Sequence, residues 1–136
     1  MGSKNKLKRF KENENFGNVF QPSRDEVISG SFPYKGRWAD FFKNTNPIVL
    51  ELGCGKGEYS IGLAQRFPNK NYIGIDIKGA RFWRGAKTAV ETGLQNVAFV
   101  RTQIELIDHL FGAGEVSEIW ITFPIHKSNT SAPSIA

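Results

Sequence analysis

The sequence has few residues that could make covalent or metal cross-links. Its single cysteine, Cys54, cannot form a disulfide within the chain, and its two histidines, His109 and His126, lie far from it. One thiol and two distant imidazoles are too few ligands for a zinc site. We therefore expect no metal, a surface position for each histidine and, as the default for a chain without disulfides, a reducing cytoplasmic location.

The sequence also lacks long apolar runs and internal repeats. No stretch approaches the ~20 apolar residues that span a bilayer, which predicts no membrane-spanning helix. A chain of 136 residues, 40% hydrophobic and 23% charged, suits one globular domain with a modest core. The formal net charge of +5 favours an anionic partner without choosing nucleic acid over a membrane surface.

A glycine-rich turn follows a short apolar stretch and is the most informative feature of the sequence. Residues 48–52 read IVLEL, which is typical of a strand buried on both faces. Gly53, Gly55 and Gly57 then predict a tight turn, and apolar residues recur at helical spacing over residues 59–67. A loop of this kind lets a ligand approach the backbone and aims the N–H groups of a helix start at it.

Several interpretations of this loop are possible. A phosphate-binding P-loop would end in Gly-Lys-Ser or Gly-Lys-Thr, but Lys56 is followed by Gly57. In a dinucleotide-binding loop, the third glycine would come one residue later. The stretch resembles instead the S-adenosylmethionine loop of class I methyltransferases, and a glycine turn without a ligand is the remaining alternative.

An acidic residue in the next apolar stretch favours a ligand. Residues 71–77 predict a second strand, and Asp76 lies near its carboxyl end, about 20 residues after the loop, where such folds place a ribose-binding acid. A carboxylate there can accept hydrogen bonds from both ribose hydroxyls. The loop and the acid together predict a cofactor that contains a nucleoside.

The rest of the chain predicts an α/β fold with a parallel sheet. Two more strands are expected at residues 96–101 and 117–124, and a helix begins at residue 78 and stops at Gly93. Four strands joined by helices place ligands at the carboxyl ends of the strands. Gln103 follows the third strand, at a position suited to contact an adenine edge.

The first 46 residues are predicted to form a basic N-terminal arm followed by an irregular aromatic segment. The lysines and Arg9 within residues 4–11 either bind a nucleic acid backbone or belong to a solvated, flexible terminus. Residues 21–46 are rich in aromatic side chains, and a short helix is expected at 38–43. We expect these aromatic side chains to cover the core rather than to stack on bases.

Four stretches together resemble the bacterial tRNA (guanine-N7)-methyltransferase family: residues 51–57, 74–80, 96–103 and 120–124. The resemblance spans residues 47–124. It implies a Rossmann-like class I methyltransferase fold, incomplete in its C-terminal half, and transfer of a methyl group from S-adenosylmethionine to N7 of a guanine in tRNA. The alternatives are an inactive module that binds cofactor or RNA, and a methyltransferase that acts on a non-RNA substrate.

The same resemblance implies which residues bind the cofactor. Glu51, Gly53 and Gly55 would contact its methionine end, Asp76 its ribose, and Gln103, where many members have Asp, its adenine.

Basic residues on the helix after the second strand are candidates for contacts with tRNA phosphates. They are Lys78, Arg81 and Arg84, of which Arg81 and Arg84 share a helix face with Lys87. This face either points at phosphates or is merely solvated.

The sequence departs from the family after the fourth strand. The family continues Phe-Pro-Asp-Pro, whereas here Phe123 and Pro124 are followed by Ile125. Guanine N7 already carries a lone pair, so methyl transfer needs positioning more than a general base. The purine becomes cationic, however, and a carboxylate beside it would stabilise that charge. Isoleucine cannot, so we expect impaired catalysis.

A frameshift would explain the departure. A permitted back-translation of residues 124–136, with one nucleotide restored within the codon of Pro124, encodes an aspartate, a proline and a basic run, as the family pattern requires. We therefore predict an aberrant tail at 125–136 on a chain truncated after the fourth strand, whose unpaired edge would promote association. Sequencing the coding DNA tests this prediction. A message with no longer reading frame one nucleotide away would support a natural short tail instead.

Overall fold

The computed structural model describes residues 3–121, which form one parallel β-sheet with helices on both faces. The sheet has five strands in the order β1-β4-β3-β2-β5. In chain order the elements are α1 (Ser3–Asn13), β1 (Val19–Phe20), α2 (Arg24–Ile28), α3 (Trp38–Phe42), β2 (Ile48–Leu52), α4 (Glu58–Arg66), β3 (Asn71–Asp76), α5 (Gly79–Thr92), β4 (Val97–Arg101), a 3-10 helix (Ile104–His109) and β5 (Glu118–Ile121).

The central strands are apolar because both of their faces are covered. All residues of β2 and β3 are buried, and the two strands pair in parallel from Ile48 opposite Asn71 to Leu52 opposite Ile75. Successive side chains of a strand point to opposite faces. Accordingly, Leu50 joins the core under α2, α3 and the 3-10 helix, and Val49 joins the core under α4 and α5.

The aromatic side chains of residues 32–42 cover the core, as the sequence predicts. Trp38 is fully buried, stacks on Phe111 at 5.4 Å between ring centroids, and donates its indole N–H to the backbone oxygen of Leu110 at 2.9 Å. The carboxylate of Glu115 accepts the backbone N–H groups of Gly36 and Trp38, each at 2.8 Å. This cluster fixes the segment that precedes β2.

The N-terminal segment is more ordered than the sequence predicts. Residues 3–13 form α1, which packs against α5, so the alternative of a solvated flexible terminus is wrong for this stretch. The sheet has a fifth strand, β1, which the sequence analysis did not predict. It pairs with β4 through Val19 opposite Phe99 and Phe20 opposite Val100. A strand of two residues is too short to show a period in the sequence.

Strand β5 lies at the end of the sheet and pairs only with β2 among the described residues. Its residue Trp120 is 45% exposed. The expectations for Phe123, Pro124, Ile125 and the tail fall outside the described residues. Over residues 3–121, no helix is long and apolar enough to cross a membrane.

Helix α5 approaches the glycine loop closely at Gly85, which generates a stability prediction. A Cβ there would lie 2.8 Å from the backbone oxygen of Lys56 and 3.2 Å from the Cα of Gly57. Forcing the helix away should lower the free energy of unfolding of Gly85→Ala by about 1–3 kcal/mol, measured by urea denaturation.

Gly62→Ala is the matched control for Gly85→Ala. Gly62 lies within α4, and a Cβ at this position would meet nothing within 4 Å. This substitution should stabilise the protein by up to about 1 kcal/mol through helix propensity. Equal stability of the two variants would contradict the close packing of α5 on the loop.

Candidate cofactor site

The glycine loop turns the chain from β2 into α4. The backbone N–H groups of Gly53 and Cys54 both donate to the oxygen of Ile75, at 2.8 and 3.0 Å, so the loop is fastened to β3. Gly57 has a φ of 80°, in the left-handed region, and a Cβ there would lie 2.7 Å from the ring of Phe99. Only glycine fits this position, both for its conformation and for its packing.

Asp76 connects the end of β3 to this loop. One carboxylate oxygen accepts the backbone N–H of Gly55 at 2.9 Å, and the other accepts the backbone N–H of Lys78 at 2.9 Å. The side chain is buried, at 6% exposure. An ionised carboxylate has about four lone-pair sites, so each oxygen can accept one more hydrogen bond. The two remaining acceptors suit a pair of neighbouring hydroxyls on a ligand.

Glu51 connects the other strand of the site to the helix that follows the loop. It is buried near the end of β2, and it accepts a hydrogen bond from the hydroxyl of Ser60 in α4. The negative charges of Glu51 and Asp76 both raise the pKa of the buried thiol of Cys54. Glu51 therefore adds negative charge beneath the loop, where a ligand's cationic group would be favoured.

Cys54 is a small neutral group in this site. Burial raises the pKa of its thiol well above the ordinary value, and the carboxylates of Glu51 and Asp76 raise it further, whereas the guanidinium of Arg81 acts in the opposite direction. A protonated thiol is a weak nucleophile. The structure thus indicates that Cys54 is a small neutral residue at the loop rather than a nucleophile.

Gln103 lies at the third strand end of the site. The backbone N–H of Thr102 donates to the backbone oxygen of Asp76 at 3.2 Å, which holds the end of β4 beside that of β3. Gln103 is exposed, and its side-chain oxygen accepts a hydrogen bond from Arg24 in α2. A guanidinium only donates, so the glutamine amide is left to donate to a ligand. Arg24 and Gln103, together with Ile77, line a cavity of about 250 Å³.

The site therefore has two contributors that the sequence analysis missed, Ser60 and Arg24. Arg24 lies 79 residues before Gln103, in a short helix, and no spacing rule connects the two. The predicted residues Glu51, Asp76 and Gln103, by contrast, lie at or just after the carboxyl ends of the adjacent strands β2, β3 and β4.

The three predicted phosphate-binding residues lie near the loop to different extents. Arg81 is close, with a guanidinium nitrogen 3.4 Å from where a Cβ of Gly55 would be. Lys78 is the second residue after the end of β3 and is exposed. Arg84 is exposed one turn further along α5 and lies 3.8 Å from Glu91. Residues 3–121 contain no cluster of His, Cys, Asp and Glu that could hold a metal ion.

Comparison with known proteins decides the family. Residues 45–126, more than half of the chain, match the protein-family model described as "Putative methyltransferase". The chain belongs to this methyltransferase family. It is 71% identical over 125 residues to a tRNA (guanine-N(7)-)-methyltransferase of Christiangramia forsetii, covering 91% of this chain and 56% of that one. The corresponding Cytophaga hutchinsonii enzyme is 50% identical, covering 95% of this chain and 57% of that one. The family resemblance seen in the sequence is confirmed.

This methyltransferase spans about half the length of the curated relatives it matches. Solved structures share its fold. An antibiotic-related methyltransferase has a TM-score of 0.58 at 24% identity, covering 67% of this chain and 47% of that one. The 16S rRNA (adenine(1408)-N(1))-methyltransferase from Catenulisporales acidiphilia has a TM-score of 0.56 at 23% identity, covering 66% and 42%. The predicted Rossmann-like class I α/β fold is confirmed.

The raised pKa of the Cys54 thiol predicts how the stability of this methyltransferase domain depends on pH. As the pH rises, the unfolded chain loses its thiol proton before the folded chain does. The free energy of unfolding should therefore be insensitive to Cys54 below about pH 8.5 and fall above it. Urea denaturation between about pH 7 and pH 9.5 measures this decline.

The control for this pH dependence is Cys54→Ala. It removes the titrating group, so its free energy of unfolding should fall less steeply over the same alkaline range. Parallel declines for the two proteins would argue against a buried, protonated thiol at the loop.

Proposed function

We propose that this chain is a tRNA (guanine-N7)-methyltransferase that uses S-adenosylmethionine, and that residues 45–121 supply the cofactor site. The observation that carries the proposal is the carboxylate of Asp76, which holds the loop through Gly55 and, within residues 3–121, accepts one backbone N–H on each oxygen, so that each oxygen has a lone pair left for a ligand. Support for the tRNA substrate comes from the relatives that have this activity. The proposed location is the cytoplasm.

The residues of the site fit S-adenosylmethionine, which supplies a methyl group on a sulfonium that is ready for attack. Asp76 would accept the two ribose hydroxyls with its remaining lone pairs. Gly53 and Gly55 present backbone without side chains, so the methionine end can lie against the loop, and Glu51 adds negative charge there. Gln103, with its oxygen held by Arg24, would donate its amide N–H to an adenine ring nitrogen.

Catalysis at guanine N7 then depends on placement. The nitrogen attacks with its own lone pair, so no base has to remove a proton, and orientation supplies the main advantage. The exposed Lys78, Arg81 and Arg84 lie beside the cofactor site and would contact tRNA phosphates. At position 125, where the family has an acid that would stabilise the purine cation, this chain has Ile125. The proposed activity of this chain is therefore impaired.

The same substitution favours a second candidate function, an inactive module that binds cofactor or RNA. The two proposals differ in turnover and agree in binding. A methyl-transfer assay on unmodified tRNA separates them, because only the enzyme produces 7-methylguanine above the background without protein.

The role of Asp76 predicts a loss of cofactor affinity. Asp76→Ala should bind S-adenosylhomocysteine about tenfold more weakly or worse in isothermal titration calorimetry, since a hydrogen bond to a charged group contributes about 1.5–3 kcal/mol. Circular dichroism of the variant checks that the loop's lost hydrogen bonds have not unfolded the domain.

Asp40→Ala is the matched control for Asp76→Ala, because it removes the same group from an exposed pair with Arg37. Such surface pairs contribute little, so its affinity should equal that of the unmodified chain. If Asp76→Ala also bound S-adenosylhomocysteine with unchanged affinity, the proposed cofactor site would be wrong.

A further inference from the structure

A positively charged groove lies between α1 and α5. Among residues 3–121, its cavity of about 370 Å³ is lined by five cationic side chains and by no carboxylate. These residues, here called the basic groove, are Lys6, Arg9, Lys56, Arg81 and Arg84. They come from α1, from the glycine loop and from α5, so folding brings together charges that repel one another.

Helix α1 is a fixed wall of this groove. The carboxylate of Glu12 accepts the indole N–H of Trp83 at 3.0 Å, and the side-chain amide of Asn13 donates to the backbone oxygen of Gly79 at 3.0 Å. Asn13 is fully buried. Both contacts join the last turn of α1 to α5, so the cations of α1 are held at a defined distance from those of α5.

Trp83 lies at the centre of the positive charge. Arg9, Arg84 and Lys87 have their charged groups 4.6, 5.1 and 4.9 Å from the centre of its ring, within the range of cation–π attraction. The nearby carboxylates of Glu12, 4.0 Å from Lys87, and of Glu91, 3.8 Å from Arg84, neutralise only part of this charge. The ring therefore holds cationic side chains from two helices together although these side chains repel one another.

The basic groove leads to the cofactor site. Arg81 belongs to the groove and also lies beside Gly55 of the loop. Lys6 and Arg81 further line a neighbouring cavity of about 760 Å³, which reaches Ile77 and Lys78 directly after the strand that ends in Asp76. An extended anion in the groove would thus continue towards the place where the methyl group is proposed to be transferred.

We propose that the basic groove binds the phosphodiester backbone of the RNA substrate, with Trp83 as the positioning residue that holds Arg9 and Arg84. The inference rests on the proposed function and extends it to α1. Guanidinium groups match the oxygens of a phosphate in a bidentate geometry. The cations line a cleft between two helices, and a narrow polyanion can enter such a cleft, whereas a flat membrane surface meets only its rim.

The charges are tested by the double variant Lys6→Gln, Arg9→Gln. Its matched control is Lys35→Gln, Lys43→Gln, which removes the same charge from exposed positions around α3, whose aromatic residues pack on the opposite face of the sheet. Fluorescence anisotropy with an unmodified tRNA transcript is measured over a series of salt concentrations. The groove variant should lose about tenfold in affinity, and its slope of log affinity against log salt should be less steep by about 1–2.

The control should keep the slope of the unmodified chain. Equal slopes for the two double variants would overturn the proposal. So would binding to vesicles of anionic phospholipid that exceeds tRNA binding and is lost in the groove variant, since the surface would then serve a membrane.

The positioning role is tested at Trp83 without changing any charge. Trp83→Leu removes the ring that holds the cations and should weaken tRNA binding severalfold, whereas Trp83→Phe keeps a ring and should weaken it less. A purely structural role would lower the melting temperature and the S-adenosylhomocysteine affinity together with tRNA binding. Unchanged tRNA affinity in Trp83→Leu would remove the positioning role.

Calorimetry with S-adenosylhomocysteine separates this inference from the proposed function. If the chain binds S-adenosylhomocysteine but its groove variants bind tRNA like the control, the groove is wrong and the cofactor site stands. If S-adenosylhomocysteine does not bind and the groove variants still lose tRNA affinity and salt slope, the groove stands as an RNA site and the methyltransferase proposal fails.

Discussion

The pair of hydrogen bonds from the backbone N–H groups of Gly55 and Lys78 to Asp76 is the constraint on which the rest of the site depends. Through this pair, one buried carboxylate at the end of β3 holds both the loop that follows β2 and the start of the segment that follows β3. The same group shapes the glycine loop and has lone pairs left that we propose for the hydroxyls of a ligand. Structure and proposed recognition are therefore linked in one residue, and the loop cannot shift without moving the acceptors.

Close packing of α5 and Phe99 against the glycine loop also holds the loop in place. Gly57 and Gly85 let α5 and the ring of Phe99 approach the loop to distances that a Cβ would prevent. The buried thiol of Cys54 is a neutral group at the loop, because burial and the carboxylates of Glu51 and Asp76 raise its pKa. A loop held this rigidly needs little ordering when it binds a ligand, which favours affinity.

The N-terminal segment completes the domain in two ways. Strand β1 extends the sheet beyond β4, and α1 covers one side of α5 through Glu12 and Asn13. Docking of α1 brings Arg9 onto the ring of Trp83 and Lys6 into the same groove, where the proposed RNA phosphates would relieve the repulsion among the cations. The proposed cofactor and substrate surfaces consequently share α5, which contributes to both.

The sequence by itself determined the strand–loop–helix unit at Gly53–Gly57, the acid at Asp76, the end of α5 at Gly93 and the family, because each is a local pattern of period, spacing or turn chemistry. Only the tertiary structure revealed β1, the docking of α1 and the contact of Arg24 with Gln103. These depend on groups about 70 to 80 residues apart, as in Glu12 with Trp83, 71 residues away, and Arg24 with Gln103, 79 away. No periodicity encodes such contacts, since they arise only when the packed sheet brings separate elements to one edge.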